Sequence, residues 1–132
     1  MCGICGIYSK QPIDRAVIQR MNDTQSHRGP DDEVVYLSSD NSGHFIALAN
    51  RRLSILDLSS SGHQPMFNED KTIWITYNGE IYNYLELRNE LIKLGHRFQS
   101  DTDTEVIIHS YEQWGVECLK HFNGMWAFAI WD

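Results

Sequence analysis

At 132 residues and 15.3 kDa the chain has room for one compact domain, and its 42% hydrophobic and 22% charged residues make a globular balance, not a disordered one. A net charge of −7, with no basic run longer than Arg51-Arg52, argues against a nucleic-acid or anionic-membrane surface, so neither nucleic acid nor membrane is expected as a partner. No apolar stretch approaches the roughly 18 residues of a spanning helix, and three cysteines, an odd number, do not favour a secreted disulfide framework; a cytoplasmic protein is expected.

Residues 2–8 read as a short strand. Ile13, Val17 and Met21, with Ala16 beside them, recur at helical spacing and predict a first helix. His27-Arg28-Gly29-Pro30-Asp31-Asp32 is turn chemistry that ends it. Strands are predicted at 33–37, 44–49 and 71–77, with 51–58 extended and 59–65 a loop. A second helix starts at the cap Asn83, with Glu86 three residues on, shows a Leu87, Leu91, Leu94 stripe, and stops at Gly95. A third repeats that grammar with Thr102 and Glu105, the stripe Ile107, Tyr111, Trp114, and the stop Gly115. A short fourth helix is expected at 116–122. The apolar run 125–131 then reads as a strand buried on both faces, with Trp126, Phe128 and Trp131 in the core. Such a strand needs neighbours on both sides, which makes the chain read as a fragment.

Cysteine chemistry offers two readings. Cys2-Gly3-Ile4-Cys5 has the spacing of half a metal site or a redox pair, but Cys118 stands alone and none of the six histidines makes the usual H-x3-5-H spacing, so no metal is expected. Alternatively, removal of Met1 leaves Cys2 with a free α-amine, whose ordinary pKa of about 7.7–8.0 suits a general base for the adjacent thiol. A retained Met1 would acylate that amine and leave Cys2 inert. Asn78-Gly79 by itself reads as a type I′ hairpin turn after 71–77, and Asp103 as a helix N1 carboxylate favoured by the dipole.

Seven segments carry a resemblance. They are Met1-Cys2-Gly3-Ile4, His27-Arg28-Gly29-Pro30-Asp31, Arg52-Leu53-Ser54-Ile55-Leu56-Asp57, Gly62-His63-Gln64-Pro65-Met66, Tyr77-Asn78-Gly79-Glu80-Ile81-Tyr82-Asn83, Asp103-Thr104-Glu105-Val106-Ile107 and Asn123-Gly124-Met125-Trp126-Ala127-Phe128. In this order the chain resembles the glutaminase domain of class II (N-terminal nucleophile) glutamine amidotransferases, above all that of glutamine-hydrolysing asparagine synthetases. The resemblance implies an α+β fold, a four-layer α/β/β/α sandwich, with 1–132 a single glutaminase domain apparently cut short at its C-terminus.

It also implies roles. Cys2 attacks the side-chain amide of L-glutamine; the Asn78 amide and the Gly79 N–H hold the oxyanion; Arg52 takes the α-carboxylate. Asp103, with the Glu80 region, faces the α-ammonium, and Leu53, Ser54, Ile55 and Leu56 line the pocket. His27–Pro30 and His63 are expected to be structural, and Cys5 a small buried hydrophobe. No cofactor is implied for this domain; ATP and Mg belong to a synthetase domain that this sequence, with no glycine-rich phosphate loop, does not contain. That domain is the implied partner, and a homodimer is compatible. Amidotransferases serving a sugar phosphate or another acid, and a glutamine-binding fragment without turnover, remain the competing readings.

Overall fold

The computed structural model describes residues 2–54 and 62–132. Two three-stranded antiparallel sheets carry the fold. In the first, β1 (Gly3–Ser9) and β2 (Asp32–Ser39) flank β3 (Phe45–Arg52), in register from Gly3 opposite Arg51 and from Asp32 opposite Arg52. In the second, β4 (Met66–Phe67) and β6 (Gly124–Trp131) flank β5 (Trp74–Ile81). Being central, β3 and β5 carry most of the buried strand residues.

Each sheet packs against its own helices. α1 (Arg15–Asp23) lies on β1 and β3 over a small core of Ile18, Ala47 and Ala49. α2 (Tyr84–Lys93) and α3 (Asp103–Trp114) cover the other sheet, where Ile75, Leu91, Ile107 and Ile108 are fully buried, each worth about 1.5–3 kcal/mol. Between the sheets β3 meets β5: Thr76 Oγ1 donates to Ala49 O at 3.0 Å, and Asn50 Nδ2 to Tyr77 O at 3.2 Å.

Several expectations change here. α1 turns inward on Ile18 and Asn22, leaving Val17 and Met21 exposed, because the residue that continues the buried face is a polar Asn. β5 begins at Trp74, after a turn in which Lys71 takes a positive φ of 62°, and it runs through Asn78-Gly79 to Ile81. The Asn-Gly pair is therefore no hairpin turn: Gly79 lies opposite Trp126 of β6, and a Cβ on it would stand 2.6 Å from the Trp126 Cα. Long-range pairing overrides the local turn preference. β6 is not buried on both faces; it is an edge strand with Met125 and Trp126 exposed, while Phe128 packs on the core and Trp131 is half-buried. The expected fourth helix is a 3-10 segment, Gly115–His121. Leu94 caps α2 and is exposed, while Gly95 (φ 106°) supplies the stop.

The capping of α3 is as expected: the Thr102 hydroxyl accepts from Glu105 N at 3.3 Å, and Gly115 (φ 57°) ends the helix. Asn83 stands at the cap of α2 without capping it. Its amide instead ties the approach to β6, donating to His121 O and accepting from Asn123 N, both at 2.9 Å. Cys5 is half-buried against the α1 core. Residues 55–58 of the predicted extended stretch and 59–61 of the loop lie outside the described residues.

Candidate active site

Pairing of β1 with β3 brings the start of the chain beside the end of β3. Leu53 N donates to Cys2 Sγ at 3.4 Å, and the thiol lies 3.8 Å from Leu53 O. The His27–Pro30 turn fixes this corner, as Arg28 Nε donates to Cys2 O at 3.0 Å. Gly29 lies so close to β3 that a Cβ would meet the Arg52 carbonyl carbon at 2.6 Å. Asp31 completes the corner, its N–H on Arg52 O at 3.1 Å and its carboxylate on Ser54 N at 2.8 Å. This turn is a brace, as the sequence implied. So is His63, whose ring contacts the Asp32 carboxylate.

The second wall is the edge of β5 turned away from β6. Tyr77 N donates to Gln64 Oε1 at 2.8 Å and Ile81 N to Asp103 Oδ2 at 3.0 Å. Alternate N–H groups of a strand share one edge, so the Gly79 N–H between them faces the same way, towards the cleft. Asn78 joins it there, and its Oδ1 is buried without a hydrogen-bond partner among the described residues. A buried amide oxygen without a partner costs about 1–3 kcal/mol, which a polar ligand would relieve.

Charged groups of opposite sign line the same cleft. Arg52 is 6% exposed, and Gly62 is what lets its guanidinium through: a Cβ there would collide with it. Asp103, 5% exposed, opens α3 and accepts from Tyr77 OH at 2.6 Å. Burial pushes the Asp103 carboxyl above the usual range, outweighing the Tyr77 and Ile81 hydrogen bonds. Burial and the charge of Asp103 raise Glu80 too. The Tyr77 hydroxyl is pushed up by burial and by Asp103, so it stays a donor.

Of the residues expected at the site, Cys2, Arg52, Leu53, Asn78, Gly79, Glu80 and Asp103 line one cleft. Ser54 does not; its N–H serves Asp31. Ile55 and Leu56 lie outside the described residues. Gln64 was missed. Its amide accepts from Tyr77 N and from Asn50 Nδ2 (3.1 Å) and donates to Thr104 Oγ1 (3.1 Å), so it ties β5 to β3 and α3 in the cleft wall. The Gly-His-Gln-Pro segment was the available signal, but its role rests on partners far away in sequence.

A thiol facing N–H donors, with a buried cation and an acidic pair in one cleft, suits attack on the amide of an amino acid. The family model "Glutamine amidotransferase domain" matches residues 1–132. The chain belongs to this family. Across its full length the amidotransferase domain is 46% identical to a protein of Methanocaldococcus jannaschii provisionally named asparagine synthetase [glutamine-hydrolyzing] 2, 28% of which it covers. It is 43% identical to asparagine synthetase [glutamine-hydrolyzing] 3 of Bacillus subtilis and 41% to asparagine synthetase [glutamine-hydrolyzing] 1 of Arabidopsis thaliana, again over its whole length, covering 21% and 22% of them. The chain thus spans about a quarter of the length of these relatives. Among solved structures, a glutamine phosphoribosylpyrophosphate amidotransferase of B. subtilis, complexed with ADP and GMP, aligns with a TM-score of 0.54 at 22% identity, over 64% of this chain and 20% of that one. That likeness concerns the fold. No helix among the described residues is long and apolar enough to cross a membrane.

Proposed function

We propose that this domain is the glutaminase half of a glutamine-dependent asparagine synthetase of the cytoplasm, acting with an ATP-binding synthetase domain of a longer protein. The observation that carries the reading is the convergence of Cys2, Asn78, Gly79, Arg52 and Asp103 on one cleft. ATP and Mg2+ are assigned to the synthetase domain, since this sequence has no glycine-rich phosphate loop to cradle a nucleotide. The fold we assign is the four-layer α/β/β/α sandwich of N-terminal nucleophile hydrolases. The full-length identities favour asparagine synthesis over a sugar-phosphate acceptor.

Removal of Met1 exposes the α-amine of Cys2, which takes the proton of the thiol. Sγ attacks the side-chain carbonyl carbon of glutamine, and the oxyanion is met by the Asn78 amide and the Gly79 N–H, donors fixed before the charge develops. The amine's proton passes to the departing nitrogen, the C–N bond breaks, and ammonia leaves a γ-glutamyl thioester. Water, deprotonated by the same amine, attacks the thioester; glutamate departs and the thiol re-forms. Arg52 grips the α-carboxylate through paired hydrogen bonds, and Asp103 with Glu80 holds the α-ammonium.

Glutamate and ammonia release from glutamine tests the reading directly. Cys2→Ala should abolish release, by at least about 10^4-fold, with glutamine binding kept. Hydrolysis should also fall as the pH drops below about 7.7, where the amine is protonated. A flat profile down to about pH 5 would remove the amine from this role.

A further inference from the structure

A second polar cluster sits further along α3, outside the cleft. His109 and Glu112 are three residues apart and share a helix face. His96, directly after the left-handed Gly95, comes to the same place, so that one donor atom from each of His96, His109 and Glu112 lies within 4.8 Å of the others. Glu112 Oε2 is 2.8 Å from His109 Nδ1 and 3.6 Å from His96 Nδ1.

Both rings turn nitrogen atoms towards carboxylates. His96 Nε2 donates to Gln113 Oε1 at 3.1 Å, and its Nδ1 faces Glu112. His109 is 2% exposed; with its Nδ1 donating to Glu112, its Nε2 has no hydrogen-bond partner among the described residues and faces Glu105 Oε1 at 3.6 Å and Glu69 Oε1 at 3.9 Å. A cation between the two Nδ1 atoms and Glu112 fits this arrangement, since an imidazole that ligates through Nδ1 carries its proton on Nε2, where Glu105 and Glu69 stand to accept it.

We propose that His96 Nδ1, His109 Nδ1 and Glu112 Oε2 ligate a divalent transition ion of the zinc class, with water completing the coordination. Two imidazoles and one carboxylate form a zinc donor set. Metal–ligand distances of about 2.0–2.2 Å place tetrahedral donors roughly 3.3 Å apart, against 2.8 and 3.6 Å from Glu112 to the two rings, with all three donors inside 4.8 Å. The supporting groups are already in place, as ligating side chains require. Gln113 orients His96, Glu105 and Glu69 back His109, and Asn68 Nδ2 holds the other Glu112 oxygen at 2.9 Å. The ion would clasp the segment after α2 to α3. Sequence spacing hides the site because His96 and His109 come from different elements.

The test is Zn2+ titration of the chelator-treated full chain, in wild type and in the Cys2→Ala, His96→Ala and Glu112→Gln variants. The expected result is one equivalent bound by wild type and Cys2→Ala, with affinity reduced at least about tenfold in His96→Ala and in Glu112→Gln. Co2+ should give ligand-field bands without a thiolate charge-transfer band. Circular dichroism checks that each variant is folded, and both substituted side chains are partly exposed, so either variant alone suffices. The proposal is overturned if no ion is retained at micromolar concentration, if a proton-only imidazolium cluster is all that forms, if both ligand variants bind as wild type does, or if binding disappears with Cys2→Ala.

Discussion

Two carboxylates stand two residues apart at the N-terminus of α3, both buried, and the protein treats them in opposite ways. Glu105 accepts from Gln99 N and Ser100 N, each at 2.7 Å, and from Ser100 Oγ at 2.5 Å, with His109 beside it. Burial pushes its carboxyl up, but the neighbouring His109 and those hydrogen bonds outweigh it and hold Glu105 below the usual range. Asp103 also accepts several hydrogen bonds, yet its cleft neighbours are a phenol and a second acid, Glu80, and burial wins. The helix dipole acts on both, so it cannot separate them. What separates them is the group alongside: Glu105 has a histidine, and Asp103 has the Tyr77 phenol and the acid Glu80. The first holds the structure together, and the second, under the function proposed above, takes the ammonium of the ligand.

The largest expected effect comes from attacking the structural side. Glu105→Ala strands the Gln99 and Ser100 donors and should cost about 2–4 kcal/mol, read as a lowered urea midpoint at unchanged slope. A variant as stable as wild type would erase the distinction. Asp103→Asn should do the reverse: glutamine affinity falls by about 10–100-fold, while stability holds or rises. The sign follows from the raised carboxyl. Its contribution to stability is present below the ordinary value near 3.9 and is lost as the pH climbs through the raised one, so the non-titrating Asn gains on wild type across that window and then levels off. Melting curves of both proteins from acid to neutral pH measure this; a gap that widens on acidification would contradict it.

How much of this was legible in the sequence depends on how local each cause is. Thr102, Gly95 and Gly115 announced the helix ends because a cap is decided within a few residues. The extent of β5 was not legible, because Asn78-Gly79 is a turn by local preference and a strand only opposite β6. Nor was the exposure of β6, since an apolar run does not say how many neighbours it will find. The candidate site was legible as motifs: Cys2, Arg52, Asn78, Gly79, Glu80 and Asp103 belong to separate segments and meet in one cleft. Gln64 was not, because its value lies in joining Tyr77, Asn50 and Thr104, which no spacing reveals.

A smaller effect sharpens the comparison from the opposite charge. Arg52→Lys keeps the cation but loses the planar fork, so KM for glutamine should rise about tenfold with little change in kcat. An unchanged KM would remove Arg52 from carboxylate binding.

The most direct test of the central claim is an intact-mass measurement before and after incubation with a glutamine-like diazoketone, which alkylates a competent amidotransferase thiol. On chain lacking Met1, the account predicts one adduct, mapping to Cys2 and suppressed by excess glutamine. No adduct, or one on Cys5 or Cys118 that glutamine does not suppress, would contradict it.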